Sequence, residues 1–245
     1  MSDYQAPLRD MLFVMNELAG IAAVAKLPGC EDATPDLVRQ VLEESARFTG
    51  EVLAPLNHDG EKAGAVLKDG TVRTPQGFKE AYGQFVEGGW NALPFPPEYG
   101  GQNLPKAVAT PVMEMWQSAN LAFSLCPLLA TGAVEALLLR GSDSLKQAFL
   151  PKMVQGTWTG TMNLTEPQAG SDLALIKTRA ERHPDGTYRI RGQKIFITYG
   201  EHDFTDNIVH LVLARTPDAP EGVRGISLFV VPKFLVNPDG TLGIR

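Results

Sequence analysis

A chain of 245 residues that is 44% apolar can bury a sizeable core, as one large domain or two modest ones. Its net charge of −6, with lysine and arginine scattered along the sequence, gives no basic stripe for nucleic acid, and any site for an anionic ligand must rely on local donors. Apolar runs of about 18 residues are missing, and Met1-Ser2-Asp3-Tyr4 lacks the basic and apolar regions of a secretory signal, so a cytoplasmic protein without a membrane span is expected.

Up to residue 156 the pattern is helical. Thr34-Pro35 combines an N-cap with proline at the first helical position, and Leu37, Val38, Val41, Leu42, Phe48 and Val52 recur on one face, predicting a helix to about Pro55. Thr74-Pro75 repeats the signal ahead of Phe78, Tyr82 and Phe85, with Gly88-Gly89 as the stop. The segment Leu93–Gly101 is too rich in proline and glycine for regular structure. Leu104-Pro105 opens a third helix through Val108, Val112 and Met115, and two more are predicted from Leu128 to Arg140 and from Ser142 to about Val154.

From Thr157 the period changes to two, first in Thr157–Met162 and again in Tyr188–Arg191, which marks the start of a β domain. Asp185-Gly186 is a hairpin signal, and Ile208–Ala214 with Gly225–Val231 reads as a strand pair. The turn Asn237-Pro238-Asp239-Gly240 leads into Thr241–Arg245, which reads as a strand only begun. The expected organisation is a helical domain over 1–156 and a β domain over 157–245 that is incomplete at its end. Cys30 and Cys126 have neither metal nor redox spacing, and His58, His183, His202 and His210 contain no HxxxH pair, so no metal is expected.

At the junction of the two patterns stand Thr165-Glu166-Pro167-Gln168-Ala169-Gly170-Ser171-Asp172 and, further on, Lys194-Ile195-Phe196-Ile197-Thr198-Tyr199-Gly200. Together with Tyr99-Gly100-Gly101 ahead of a helix, they resemble the paired flavin-contact motifs of acyl-CoA dehydrogenases, a resemblance that extends over essentially the whole chain. It implies an α+β fold, with an N-terminal all-α domain followed by an antiparallel β-barrel-like domain, and the family's C-terminal helical bundle absent. It implies FAD as cofactor, an acyl-CoA substrate oxidised to the trans-2-enoyl-CoA, an electron-transfer flavoprotein as acceptor, and a homodimer or homotetramer.

By the same resemblance the flavin contacts are Met162, Asn163, Leu164, Thr165, Ser171, Phe196, Ile197 and Thr198. Ser171 also meets the substrate's pantetheine arm. Donors aimed at the ring edge that gains negative charge would stabilise it without reorganisation. Gln168 stands where the family often has glycine, and Phe196 has a plain alternative as strand core. Glu166 is implied to be structural, the catalytic base lying beyond Arg245, so no catalytic residue is expected in this chain. The leading Tyr4–Met11 stretch and Phe13 resemble an extended bacterial branch of the family, which implies 3-methylmercaptopropionyl-CoA as one substrate. An acyl-CoA oxidase or flavin monooxygenase of the same fold, or a non-redox binding module, is the alternative.

Overall fold

The computed structural model describes residues 4–245, so Met1–Asp3, read above for a leader, lies outside it. Two short helices, α1 (Leu8–Phe13) and α2 (Ile21–Val24), precede α3 (Pro35–Phe48). Thr34 caps α3 as expected, its hydroxyl accepting from the Leu37 amide at 3.3 Å. The helix does not stop near Pro55. A π-helical turn over Thr49–Leu53 carries it into α4 (Ala54–Ala63), where Pro55 falls in the first turn and its missing N–H costs nothing.

A hairpin of β1 (Val66–Lys68) and β2 (Thr71–Arg73) follows, unanticipated although Asp69-Gly70 at its tip carries the usual turn signal. Both tip residues have positive φ, 51° and 72°. Helix α5 (Phe78–Glu87) begins later than Thr74-Pro75 suggested. Thr74 is not its cap: the backbone N–H and hydroxyl of Thr74 both donate to Asp203, at 3.1 and 2.7 Å, tying this segment to the far part of the chain.

Helix α6 (Lys106–Ala119) matches its predicted start, whereas α7 (Leu121–Arg140) begins before Leu128 because Asn120 caps it, accepting from the Phe123 amide at 3.0 Å. With 20 residues and a mean hydropathy of 1.8, α7 is long and apolar enough to cross a membrane. Here it is a central helix, burying Phe123, Cys126, Ala130, Ala133, Val134 and Leu137 among α4, α6, α8 (Asp143–Gln155) and the first strand of the following sheet.

That strand is β3 (Thr159–Asn163). It pairs with β6 (Ile208–Ala214), which in turn pairs with β7 (Ser227–Pro232) in a three-stranded sheet of order β3-β6-β7. The antiparallel expectation holds for β6 with β7 and for the hairpin of β4 (Arg179–Arg182) and β5 (Tyr188–Arg191), but β3 and β6 run parallel. The physical reason is the long crossover through β4 and β5, which brings the chain back in its original direction. Residues 241–245 form no strand. A bridge between Val236 and Leu242 closes the Asn237–Gly240 turn on itself.

The helices and strands share packing. Gly160 of β3 faces α7 so closely that a Cβ would lie 2.5 Å from Ala133 Cβ and 2.8 Å from Met153 Cε. Phe204 belongs to the core built by α3–α7 and stacks on Tyr82 at 4.8 Å between ring centres. The Tyr82 hydroxyl donates to the Gly156 carbonyl at 2.9 Å, at the end of α8.

Candidate functional site

Met162 and Asn163 close β3, and Leu164 and Thr165 follow directly, all half-buried. The 194–200 segment, distant in sequence, lies against them. The Ile195 amide donates to the Thr165 carbonyl at 3.0 Å, and Lys194 Nζ donates to the Leu164 carbonyl at 3.0 Å. The fold thus unites the two motifs through their own backbones, with Ile197 and Thr198 half-buried a few residues on.

Phe196 is not strand core. It sits in an irregular loop, 85% exposed, with φ 58°, a left-handed backbone that a bulky residue rarely adopts. Tyr199, also left-handed at φ 51°, fixes the loop's far end by donating from its hydroxyl to the Ala122 carbonyl of α7 at 2.7 Å, and its ring packs on His202 and Phe204. The sequence reading missed Tyr199 as this anchor, and nothing in the local pattern separates it from Thr198. Burial raises the Tyr199 phenol pKa, so it remains a neutral donor.

Glu166 is the hub beneath the site. Its side chain is only 3% exposed, and it accepts from Lys194 Nζ at 2.9 Å, the Thr178 amide at 3.0 Å, the Lys177 amide at 2.8 Å and Gln168 Nε2 at 2.6 Å. Burial raises the carboxyl pKa, but the donors from Thr178, Lys194 and the Lys177 amide outweigh it and hold it at about 2. A carboxylate with both oxygens committed in this way braces a loop and is a poor base at neutral pH. Gln168, at the position often held by glycine in the family, donates both to Glu166 and to the Leu175 carbonyl, so it adds to the brace without crowding the turn.

Behind β3 the two histidines eight residues apart meet its threonines. His202 Nδ1 accepts from the Phe204 amide at 3.1 Å, which puts the imidazole proton on Nε2, 2.8 Å from the Thr159 hydroxyl. Desolvation, then the Lys233 charge, lowers the His202 pKa to about 4. Thr161 donates to Asn163 Oδ1 at 2.6 Å, so His210 Nδ1, at 2.7 Å, supplies the proton to the Thr161 oxygen. Among the described residues nothing engages the Asn163 amide nitrogen at the end of β3.

What the arrangement offers a ligand is a set of free donors beside an exposed aromatic face. The Thr165 and Thr198 hydroxyls make no hydrogen bond among the described residues, and neither does the exposed Ser171 hydroxyl one loop away. Half-buried donors without partners next to an uncovered ring suit a flat heteroaromatic group rich in acceptors. The described residues contain no cluster of histidine, cysteine and acidic side chains able to hold a metal ion.

Comparison with known proteins agrees with this architecture. The acyl-CoA dehydrogenase N-terminal domain matches residues 36–157, and the acyl-CoA dehydrogenase middle domain matches residues 161–244. The 3-methylmercaptopropionyl-CoA dehydrogenase of Ruegeria pomeroyi is 53% identical over 242 residues, covering 99% of this chain and 41% of that protein. A butyryl-CoA dehydrogenase of Syntrophomonas wolfei is 37% identical over 251 residues, covering 98% of this chain and 40% of the relative. Among solved structures, a probable acyl-CoA dehydrogenase from Mycobacterium abscessus superposes with a TM-score of 0.66 at 27% identity, over 83% of this chain and 51% of the other. The chain therefore spans about two fifths of the length of the curated relatives it matches, 41% and 40%. On the strength of both domain matches and of this identity along its whole length, the chain belongs to the acyl-CoA dehydrogenase family.

Proposed function

We propose that the protein works as an FAD-dependent acyl-CoA dehydrogenase, oxidising the α,β bond of an acyl-CoA thioester, with 3-methylmercaptopropionyl-CoA as substrate and an electron-transfer flavoprotein as acceptor. The observation that carries this reading is the 53% identity over 99% of the chain to a dehydrogenase named for that substrate. The convergence of the two motifs on one loop pair supports it. A helical unit over 1–156, a β unit over 157–245, a cytoplasmic setting and a homodimeric or homotetrameric protein complete the proposal.

Bound FAD supplies a hydride acceptor. The Leu164 and Thr165 amides, the Thr165 hydroxyl and the Thr198 hydroxyl would hold the cofactor, aimed where negative charge gathers. Met162, Asn163 and Ile197 would wall its edge, and the Phe196 ring would cover a face. Ser171 would reach both cofactor and pantetheine arm. Glu166 and Lys194 hold these donors in place and leave proton abstraction to a carboxylate outside these residues.

The test uses the full-length protein carrying Thr165→Val or Thr198→Val. Each is expected to lower flavin content, or to slow flavin reduction by the acyl-CoA about a hundredfold. Unchanged absorbance and unchanged reduction in both variants would remove these residues from the site.

A further inference from the structure

Two rows of polar side chains run behind β3, and they end differently. The first begins where the Phe204 amide donates to His202 Nδ1 and His202 Nε2 to the Thr159 hydroxyl. Thr205 spends its proton on the Asn207 carbonyl at 2.8 Å, so Thr159 donates to the Thr205 oxygen, at 3.4 Å. Each proton in that row finishes on an acceptor of the protein, and the row is closed. In the second row His210 Nδ1 donates to Thr161 and Thr161 to Asn163 Oδ1, and there the acceptors stop. The Asn163 amide nitrogen carries two N–H groups, and neither has a partner among the described residues.

The direction of the open row is set at its histidine. His210 stands opposite Thr161 in the β3–β6 register, and Thr161 is fully buried. A hydroxyl has one proton, so Thr161 donates to one neighbour and accepts from the other. With the imidazole proton on Nδ1, Thr161 donates to Asn163 Oδ1 and the amide N–H groups are left free, as they are here. With that proton on Nε2, Thr161 would donate to the ring and take a hydrogen bond from the Asn163 nitrogen, leaving an acceptor free instead. One ring proton, two side chains away, thus decides whether β3 ends in a donor or an acceptor. Burial lowers the His210 pKa, with Glu201 and Lys233 acting in opposite senses, so at pH 7 the ring is neutral and has a single N–H to place.

Asn163 immediately precedes Leu164 and Thr165, the donors assigned to the cofactor above. We propose that His210 is a positioning residue for the flavin: through Thr161 it holds the Asn163 carboxamide so that its N–H groups donate to an acceptor atom of FAD, a proposal that rests on the FAD reading above. Reduction adds negative charge to the flavin ring, so a donor fixed in this way favours the reduced form. His210 acts only through Thr161 and Asn163.

The experiment uses the full-length protein. Thr161→Val and His210→Leu break the row, whereas Thr161→Ser keeps the hydroxyl and His210→Asn sets an amide N–H close to where Nδ1 stood. The potential of bound FAD is read by equilibration with a dye of known potential. Thr161→Val and His210→Leu are each expected to lower the ratio of reduced to oxidised flavin about tenfold, a fall of about 30 mV for two electrons. The double variant should fall no further than either single one, because both cut the same row. Thr161→Ser and His210→Asn should restore the wild-type potential, which a merely structural role of these residues does not require. Potentials that stay at the wild-type value, falls that add in the double variant, or failure of serine and asparagine to restore them overturn the proposal and leave the FAD reading intact. A wild-type protein that takes up no FAD sinks that reading and the proposal together. A second measurement needs neither cofactor nor a disruptive substitution. Nitrogen NMR of the full-length protein carrying isotope-labelled histidine, with the His210 signals assigned by their loss in His210→Asn, should show the Nδ1–H tautomer at pH 7. The Nε2–H tautomer would overturn the proposal even if the valine and leucine variants failed to fold.

Discussion

Glu166 takes hydrogen bonds from residues 168, 177, 178 and 194, so one side chain fastens separate stretches of the chain beneath the candidate site. Glu166→Gln would leave the Lys194 ammonium, 10% exposed, without its counter-charge and would aim an amide N–H at a donor. The expected loss is about 3 kcal/mol of stability, read as a lower urea midpoint at pH 7. An unchanged midpoint would show that the pair contributes nothing net. Acid should act in two windows. His202 is neutral when folded, with a pKa lowered to about 4 from the ordinary 6.5 of a histidine, so the unfolded chain binds more protons between those values and stability falls as pH drops from 6.5 towards 4. Glu166 adds a second loss as pH falls from the ordinary glutamate value of 4.5 towards about 2, where its carboxylate is finally protonated. Imidazole NMR checks the first window: His202 should stay neutral at pH 5. The two motifs that the fold brings together could be picked out in the sequence because each is a run of distinctive side chains. The Glu166 donors at 177 and 178 could not, because backbone amides carry no sequence signature.

At the scale of elements, β3 depends on a residue with no side chain. Gly160→Val would drive methyl groups into Ala133 and Met153, and α7 cannot yield without disturbing its contacts with α4, α6 and α8. A destabilisation of about 2 kcal/mol or more is expected, measured by thermal unfolding. Gly160→Ala should give a smaller loss, and a neutral valine variant would mean that β3 can lift from the helix. Helix starts were read correctly at Thr34 and Pro105, where the signal is local, but the equally local Asn120 cap of α7 was passed over. The reading also failed where a distant partner decides. Thr74 has the composition of a cap but spends its donors on Asp203, and Pro55 has the composition of a stop but sits beyond a π turn that absorbs it. The direction of β3 relative to β6 could not be read either, since strand periodicity is the same for both senses of pairing.

Over the whole molecule, the helices and strands have a joint interior. Phe204, which follows the 194–200 loop, is buried with residues of α3–α7, and Tyr82 is bonded to the chain just ahead of β3. A single calorimetric unfolding transition is therefore expected for this chain, with calorimetric and van't Hoff enthalpies equal. Two resolved transitions would show that the halves hold independently. Phe204→Ala should lower that transition by about 3 to 5 kcal/mol through the cavity it opens between them.

The parallel pairing of β3 with β6 also has a consequence for the order of events on the ribosome. Residues 159–163 cannot find their partners until 208–212 have been made, so the first strand emerges with no neighbour to complete its backbone hydrogen bonds. By then α7 and α8 are already synthesised, and the close seat at Gly160 offers β3 a place to wait against them. Nascent chains long enough for residue 163 to have left the ribosomal tunnel, but not residues 208–212, should thus hold a protease-resistant helical part with an open strand edge that chaperones recognise. Chains from which residue 232 has also emerged should lose that recognition, as β6 and β7 close over the edge.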